Sequence, residues 1–462
     1  MNTILPQSFH LLLAAFRPCF TRPSYQNFVS IVSGWVHCLG RRTITAVALA
    51  SGGLSTRHIS VFHRFFGRAR WALDALGHVL FDLALAWAPA GQPLLLILDD
   101  TLARKGGKRI SLASMHHDPL LSTAHKPFFS HGHVWVVLAL WLPLPLGEGR
   151  GFALPILFRL YTTSKAGCQA DAPSRPGKHK RTVEPQATAS RPTKLQLARE
   201  MIALLADWAE GRSIYVVADS AYAGRTLLEQ RPDNVHMISR LRLDAALWTP
   251  PPPRTAGQRG RTRRRGSRLP APGAMAAARQ HWHRLPVQLY GRSLTTQVFQ
   301  FTALWYVALR EAPMRIVVVR DPAGRRRDEA FFCTGVAVGA AFILESYARR
   351  WSLEVTFRDA KQHLGFEDAQ NQTAKAVQRT APLALLVYGL VLLWSAGSAA
   401  EGEEPAWLRR PWDRHKAAPS FRDLLLNLRR AAWRQDVFDP PLASRMPQNW
   451  PPAWAEALLE TA

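Results

Sequence analysis

The sequence is short of acid, of lysine and of cysteine, and each shortage excludes something. Against 59 Lys and Arg stand only 33 Asp and Glu in 462 residues, a formal net charge of +26. Self-repulsion on that scale destabilises a compact chain, and a polyanionic partner is the usual reason to tolerate it. Only 10 of the 59 are lysine; the rest are arginine, the better residue for bidentate phosphate contacts. The four cysteines (Cys19, Cys38, Cys168, Cys333) lie far apart without a CxxC pair. That spacing supports neither a zinc ribbon nor a disulfide framework and fits a reducing cytoplasm. No phosphate-binding loop or dinucleotide fingerprint is present, which argues against a nucleotide-driven enzyme. The N-terminal MNTILPQSFHLLLAAFRPCF has an apolar stretch but no basic residues before it, so a signal peptide is not expected.

What is present can build cores. Hydrophobic residues make up 47% and aromatics 10%, with 16 Trp, enough to exclude global disorder. From Thr380 to Ala400 runs TAPLALLVYGLVLLWSAGSAA, charge-free over about the length of a membrane span. A central helix buried on both sides reads the same way, and the globular pattern of the rest favours it, so no membrane partner is expected.

Composition divides the chain. Residues 1–90 show helical periodicity and read as a helical region, a candidate DNA-binding domain. From 91 to 242 the pattern is α/β. PLLLILDD, GHVWVVLALWL (132–142) and FALPILFRLY (152–161) read as strands. A basic loop over 164–192 follows, then a helix opened by the capping box Thr193/Gln196. SIYVVADSAYAG (213–224) and VHMISRLR (235–242) read as two more strands. Residues 243–339 hold an arginine-rich loop and β-rich segments, 340–400 return to helix, and 401–462 form a C-terminal helical region. Mixed order of this kind suits a central sheet covered by helices.

Acids follow the apolar strand runs. Asp99-Asp100 and Asp219 stand where a charge must be solvated, paired or bound to a cation. Two such strands side by side would bring carboxylates together at the sheet edge, where ligands commonly bind. Each Asp can also merely cap a turn. In ILESYARRWSLEVTFRDAKQHLGF, Tyr347, Arg350, Glu354 and Lys361 fall within an arc of about 60° on one helix face. Leu353, Phe357, Ala360 and Leu364 line the neighbouring arc and should anchor that helix to the sheet. The alternative is an exposed face carrying an ordinary Arg350–Glu354 pair. His116, His117, His125, His131 and His133 lack the cysteine partners and spacing of a zinc site and read as a polar loop. Lys105, Lys108, Arg263, Arg264 and Arg265 are candidate phosphate contacts.

Tyr347-x2-Arg350-x3-Glu354-x6-Lys361 resembles the Y-x2-R-x3-E-x6-K signature of DDE transposases from bacterial insertion sequences. Asp99-Asp100-Thr101 is similar to the family's first acid motif, in which the acid precedes a Thr and so is matched to Asp100. ADSAYAG is similar to the second, matched to Asp219. The resemblance, over about residues 92–395, implies an RNase H-like α/β catalytic domain. It has a mixed sheet flanked by helices, with a β-rich insertion between the second and third acids. It implies Asp100, Asp219 and Glu354 as catalytic residues and ligands of two Mg²⁺ (or Mn²⁺) ions. Tyr347, Arg350 and Lys361 would lie against DNA. The implied partners are double-stranded DNA, as element ends and target, and a second copy of the chain, at least a dimer on DNA. A basic relic that binds DNA without cutting it is the alternative.

Overall fold

In the computed structural model, the described residues are 5–107, 109–123, 125–147, 149–163, 191–254, 260–407, 411 and 414–438. Five helices come first: α1 (Gln7–Ala14), α2 (Arg22–His37), α3 (Ile44–Ala50), α4 (Ile59–Gly67) and α5 (Leu73–Leu85). Thr43 caps α3 by accepting from the Ala46 amide at 3.2 Å, satisfying one of the orphan donors of a helix start. Their apolar faces, Phe9, Phe28, Trp35, Phe62, Phe65 and Phe66 among them, join one continuous core with the sheet and the C-terminal helices. The helical region is therefore packed into the body of the protein.

The sheet begins with β1 (Leu94–Arg104), β2 (Ser114–His117), β3 (Phe129–Leu142) and β4 (Phe152–Tyr161). β1 and β3 are antiparallel; on its other side β3 pairs first with β2 and then with β4, both antiparallel. The crossover helix α6 (Lys194–Trp208) and the short α7 (Arg225–Leu228) lead to β5 (Ile214–Ala218) and β6 (Val235–Leu241). β5 pairs parallel to β1, and β6 parallel to β5. Antiparallel pairing on one side of β1 and parallel pairing on the other makes the sheet mixed, as the α/β, RNase H-like reading expected. The Thr193/Gln196 capping box at the start of α6 is formed.

After α8 (Pro272–Ala278) come β7 (His283–Leu289), β8 (Arg292–Leu304), the turn-length α9 (Tyr306–Leu309), β9 (Pro313–Arg320) and β10 (Glu329–Cys333). These β-rich segments continue the sheet, because β10 pairs antiparallel with β6 and the order then runs β9, β8, β7. Next come α10 (Ala340–Arg349), α11 (Trp351–His363), α12 (Ala374–Ala400) and α13 (Phe421–Phe438). α12 carries the long apolar stretch, and 20 of its residues, Thr380 to Ala396 included, are buried. Its length is used by packing against α1, α2, α4, α5, α11, α13 and β4. The buried Arg379 on α12 donates to the carbonyls of Phe66 (3.1 Å), Ala69 (3.0 Å) and Trp71, tying the end of α4 to the core. That is the buried central helix, the second of the two readings the sequence allowed.

Two expectations about local form change. β1 does not end at its acids: it runs on to Arg104, paired with β3 as far as Arg104↔Gly132, so Asp99 and Asp100 sit mid-strand. Only the β5 side stops, at Leu98↔Ala218. The helix expected to carry Tyr347, Arg350, Glu354 and Lys361 on one face is also divided at Arg350, where Arg350 N–H bonds to the Tyr347 carbonyl and Leu353 N–H to the Arg350 carbonyl. These i→i+3 bonds tighten the turn between α10 and α11.

Candidate active site

Side chains alternate across a strand, so adjacent Asp99 and Asp100 must point to opposite faces of the sheet. Asp99 faces α10 and α11. Its Oδ2 accepts from Arg350 Nη1 at 2.6 Å, while Arg350 Nη2 donates to Glu354 Oε1 at 2.7 Å. One guanidinium thus joins a mid-strand carboxylate to the carboxylate one helical turn along. Arg350 Nε is buried without a hydrogen-bond partner. Burial pushes the Asp99 carboxyl up to about 6, outweighing the opposing effect of Arg350; Asp100 and Glu354 add like-charge repulsion.

Asp219 directly follows β5, where the parallel pairing with β1 stops. Its Oδ1 accepts from the Ser220 amide at 2.7 Å, capping the short turn 220–222. It also lies within electrostatic reach of Arg350 and Tyr347. Asp99 and Glu354 therefore bracket Arg350, and Asp219 follows β5 next to Asp99 in register, at the split where β1 outruns β5. The capping bond is formed, and it leaves Asp219 at this split.

Asp100 does not join that group. Its Oδ2 accepts from Lys194 at 2.7 Å, at the first position of α6, and its Oδ1 from the Tyr222 hydroxyl at 2.8 Å. Burial and the Asp100 charge both raise the Tyr222 phenol far above its ordinary value. The choice of Asp100 over Asp99 as partner of Glu354 is corrected by strand alternation: α11 lies on the Asp99 face. Lys194 and Tyr222 were missed, although Tyr222 belongs to ADSAYAG and Lys194 opens the capping-box helix.

Of the other residues singled out, Lys361 lies against protein. Its Nζ donates to the Leu102 carbonyl at 2.7 Å and pairs with Glu367 Oε1 at 3.3 Å, while Glu367 also accepts from the Arg104 amide. Together they close the edge of β1 that β5 leaves bare. Tyr347 packs on Phe331, ring centroids 4.8 Å apart. Leu353, Phe357, Ala360 and Leu364 are buried, anchoring α11 as expected. Lys105, expected at a phosphate, is instead buried at 7% exposure, donating to the carbonyls of Glu367 (2.7 Å) and Ala369 (2.9 Å). Burial drives its ammonium down to about 8. Lys108 lies outside the described residues. Arg263, Arg264 and Arg265 are exposed, Arg264 pairing with Glu311 at 3.4 Å and Arg265 lying over Trp248, 4.6 Å from the ring centroid. His131 and His133 bond to the carbonyls of Lys105 and Ser111, and His116 to Ser114. Among the described residues, no group of three or more His, Cys, Asp or Glu side chains stands close enough to hold a metal ion. Around Arg350 the reason is physical: carboxylates repel, and here a guanidinium stands between them.

A family model described as DDE superfamily endonuclease matches residues 15–298. The chain belongs to that family. The match takes in β1, β5, Asp99, Asp100 and Asp219 of this DDE endonuclease and ends before α11, which carries Glu354. No curated protein matches the chain. Among solved structures it is similar to a piggyBac transposase synaptic complex with hairpin DNA, at 10% identity and a TM-score of 0.40. That similarity covers 97% of this chain and 83% of the other.

Proposed function

We propose that this DDE endonuclease is a DNA transposase of the insertion-sequence type, acting in the cytoplasm at the nucleoid. It would cleave DNA at element ends and join the freed 3′-hydroxyl to a target. The observation that carries this reading is the Asp99–Arg350–Glu354 bridge beside Asp219, in a chain of this family and of net charge +26. In this reading Asp99, rather than Asp100, is the first catalytic acid, with Asp219 the second and Glu354 the third.

By chemistry the donor set suits a hard divalent cation, with Arg350 standing between the carboxylates in this structure. Three carboxylates offer oxygen ligands of the kind Mg²⁺ or Mn²⁺ takes, and a buried carboxyl raised to about 6 gains charge compensation from a nearby cation. Asp99, Asp219 and Glu354 would hold two such ions, which would supply charge neutralisation at the phosphoryl oxygens and a bound water of lowered pKa. The protein's own residues set the stage. Arg350 lets two carboxylates stand together, and its planar donors match phosphate oxygens as well as carboxylates. Lys361 and Glu367 fix the free edge of β1, holding the Asp99 backbone against α11. Asp100 acts from behind the sheet: through Tyr222 it fixes the turn that begins at Asp219, and through Lys194 it fixes the start of α6. The partners would be double-stranded DNA and a second copy of the chain, one per element end.

The test is strand transfer on DNA carrying the parent element's ends, with Mg²⁺ and then with EDTA. Joined products that require Mg²⁺ and vanish in Glu354→Gln are expected. Undiminished activity in that variant would refute the assigned site, and salt-sensitive binding without cleavage on any such end would leave the relic.

A further inference from the structure

The hairpin between β2 and β3 exposes unusual amounts of apolar surface. At its tip Met115 is 57% exposed, Leu120 78%, Leu121 50%, Phe128 44% and Phe129 53%. The tip is nevertheless firmly held. Asp118, 1% exposed, accepts from Arg104 Nε at 2.6 Å and Nη2 at 3.0 Å, from Ser130 Oγ at 2.7 Å and from the Leu120 amide at 3.2 Å. Ser122 Oγ donates to the Asp118 carbonyl at 2.7 Å and accepts from the Phe128 amide at 2.9 Å. Asp118 N–H closes the loop on the Phe128 carbonyl at 2.9 Å. Two phenylalanine rings are thus presented to solvent from a fixed frame, and Phe129 meets His117 across the strand pair, centroids 5.8 Å apart.

Charge indicates what such a surface receives. Between Lys105 and His133 the only carboxylate in the sequence is Asp118, which Arg104 neutralises. His117, His125 and Lys126, on the same hairpin, are exposed. A second copy docking through this face would set like charge against like charge. Unpaired DNA suits it on both counts, since every base has a face to stack and every nucleotide a phosphate.

We propose that this tip is a stacking platform for unpaired nucleobases, with the exposed rings of Phe128 and Phe129 taking bases and Lys126 beside the backbone. The inference rests on the reading of the chain as a DNA-transacting enzyme. β3 runs from Phe129 to Val137, which lies opposite Asp99. Eight residues at about 3.3 Å each place the platform about 26 Å from the candidate catalytic acid, or about eight stacked nucleotides.

The test uses the full chain and two fluorescent probes, a 20-nucleotide oligo-dT and a 20-base-pair blunt duplex, read by anisotropy at several salt concentrations. Phe128→Ser/Phe129→Ser should weaken oligo-dT binding about 10- to 100-fold and duplex binding less than about three-fold, leaving the salt dependence unchanged. Lys126→Ala should instead lower the single-strand salt slope by about 0.7. Phe129→Leu keeps the apolar volume and removes the ring, so its loss on oligo-dT separates stacking from a folding defect, with thermal melting as the control. Equal losses on both probes, no loss on oligo-dT, or a lost self-association with DNA binding intact would each overturn the platform. A wild-type chain that binds neither probe would refute the DNA reading as well; duplex binding with oligo-dT unaffected by the variants would refute the platform alone.

Discussion

Asp99 and Asp100 are neighbours of identical chemistry, and the structure predicts opposite consequences of losing each charge. Asp99 is 17% exposed, and its carboxyl is raised from 3.8 to about 6, so carrying its charge at pH 7 costs about 3 kcal/mol. Asp99→Asn removes that net cost, in which the attraction of Arg350 is already counted, while Arg350 keeps Glu354. The variant should melt at pH 7 no lower than wild type, with a margin of up to about 3 kcal/mol in its favour. The sign with pH follows from the raised value. Between about 4 and 6 the folded protein holds the proton that the unfolded chain releases, so Asp99 lowers wild-type stability as pH rises through that window. Relative to Asp99→Asn, wild type should therefore gain about 2.4 kcal/mol between pH 7 and pH 4. Asp100→Asn keeps an acceptor for Tyr222 but sets an amide against the Lys194 ammonium, costing about 1–2 kcal/mol because Lys194 is 38% exposed and can rehydrate.

Activity should divide the other way. Asp99→Asn is expected to lose cleavage by about a thousand-fold or more, the mark of a group at the reacting centre. Asp100→Asn should lose about thirty-fold at most, the equivalent of about 2 kcal/mol of misplacement of the 219–222 turn. The assay is Mg²⁺-dependent nicking of end DNA beside thermal melts in EDTA. An Asp99→Asn protein that cuts normally, or that loses more than about 2 kcal/mol of stability at pH 7, would refute the reasoning.

Three further outcomes follow from the geometry. Lys361→Met removes the cap on the Leu102 carbonyl and should lower stability by about 1–2 kcal/mol with the salt slope of duplex binding unchanged; a slope reduced by about 0.9 in filter binding would make Lys361 a phosphate contact instead. Asp118→Asn breaks the paired bond to Arg104 inside the hairpin and should cost about 1–2 kcal/mol in urea titrations at pH 7, because Arg104 is 39% exposed and can rehydrate. Because Arg104 and Ser130 hold Asp118 well below the usual carboxylate range, its contribution is complete above about pH 4 and is lost as pH falls further, so the variant and wild type should converge in strong acid. Lys105→Met should flatten a rise in stability between about pH 8 and 10.5, where the unfolded chain still binds a proton that the buried ammonium has released; an unchanged profile in melts across that range would refute the burial.

How far the site was legible depends on which physical rule each residue obeys. Glu354 and Arg350 were readable because helical spacing places residues four apart on one face, and the bridge to β1 uses that face. Asp219 was readable because an apolar run must end where a charge begins. The pair Asp99-Asp100 defeated the same logic. β1 continues for four residues beyond its acids, held by β3 and by Lys361, and nothing local announces a strand that outlives one neighbour. Without knowing which face α11 covers, alternation assigns the two acids to opposite sides and leaves open which side matters. The misreading of Lys105 has the same origin. A lysine five residues past a strand acid looks like a phosphate contact until Glu367 and Ala369, more than 260 positions away, bring their carbonyls to it. Local periodicity places side chains on faces, and only long-range packing decides which face becomes interior. Glu354 meets Arg350 on its own helix face, four residues away, whereas Asp100, Lys105, Lys194 and Tyr222 find their partners on other elements.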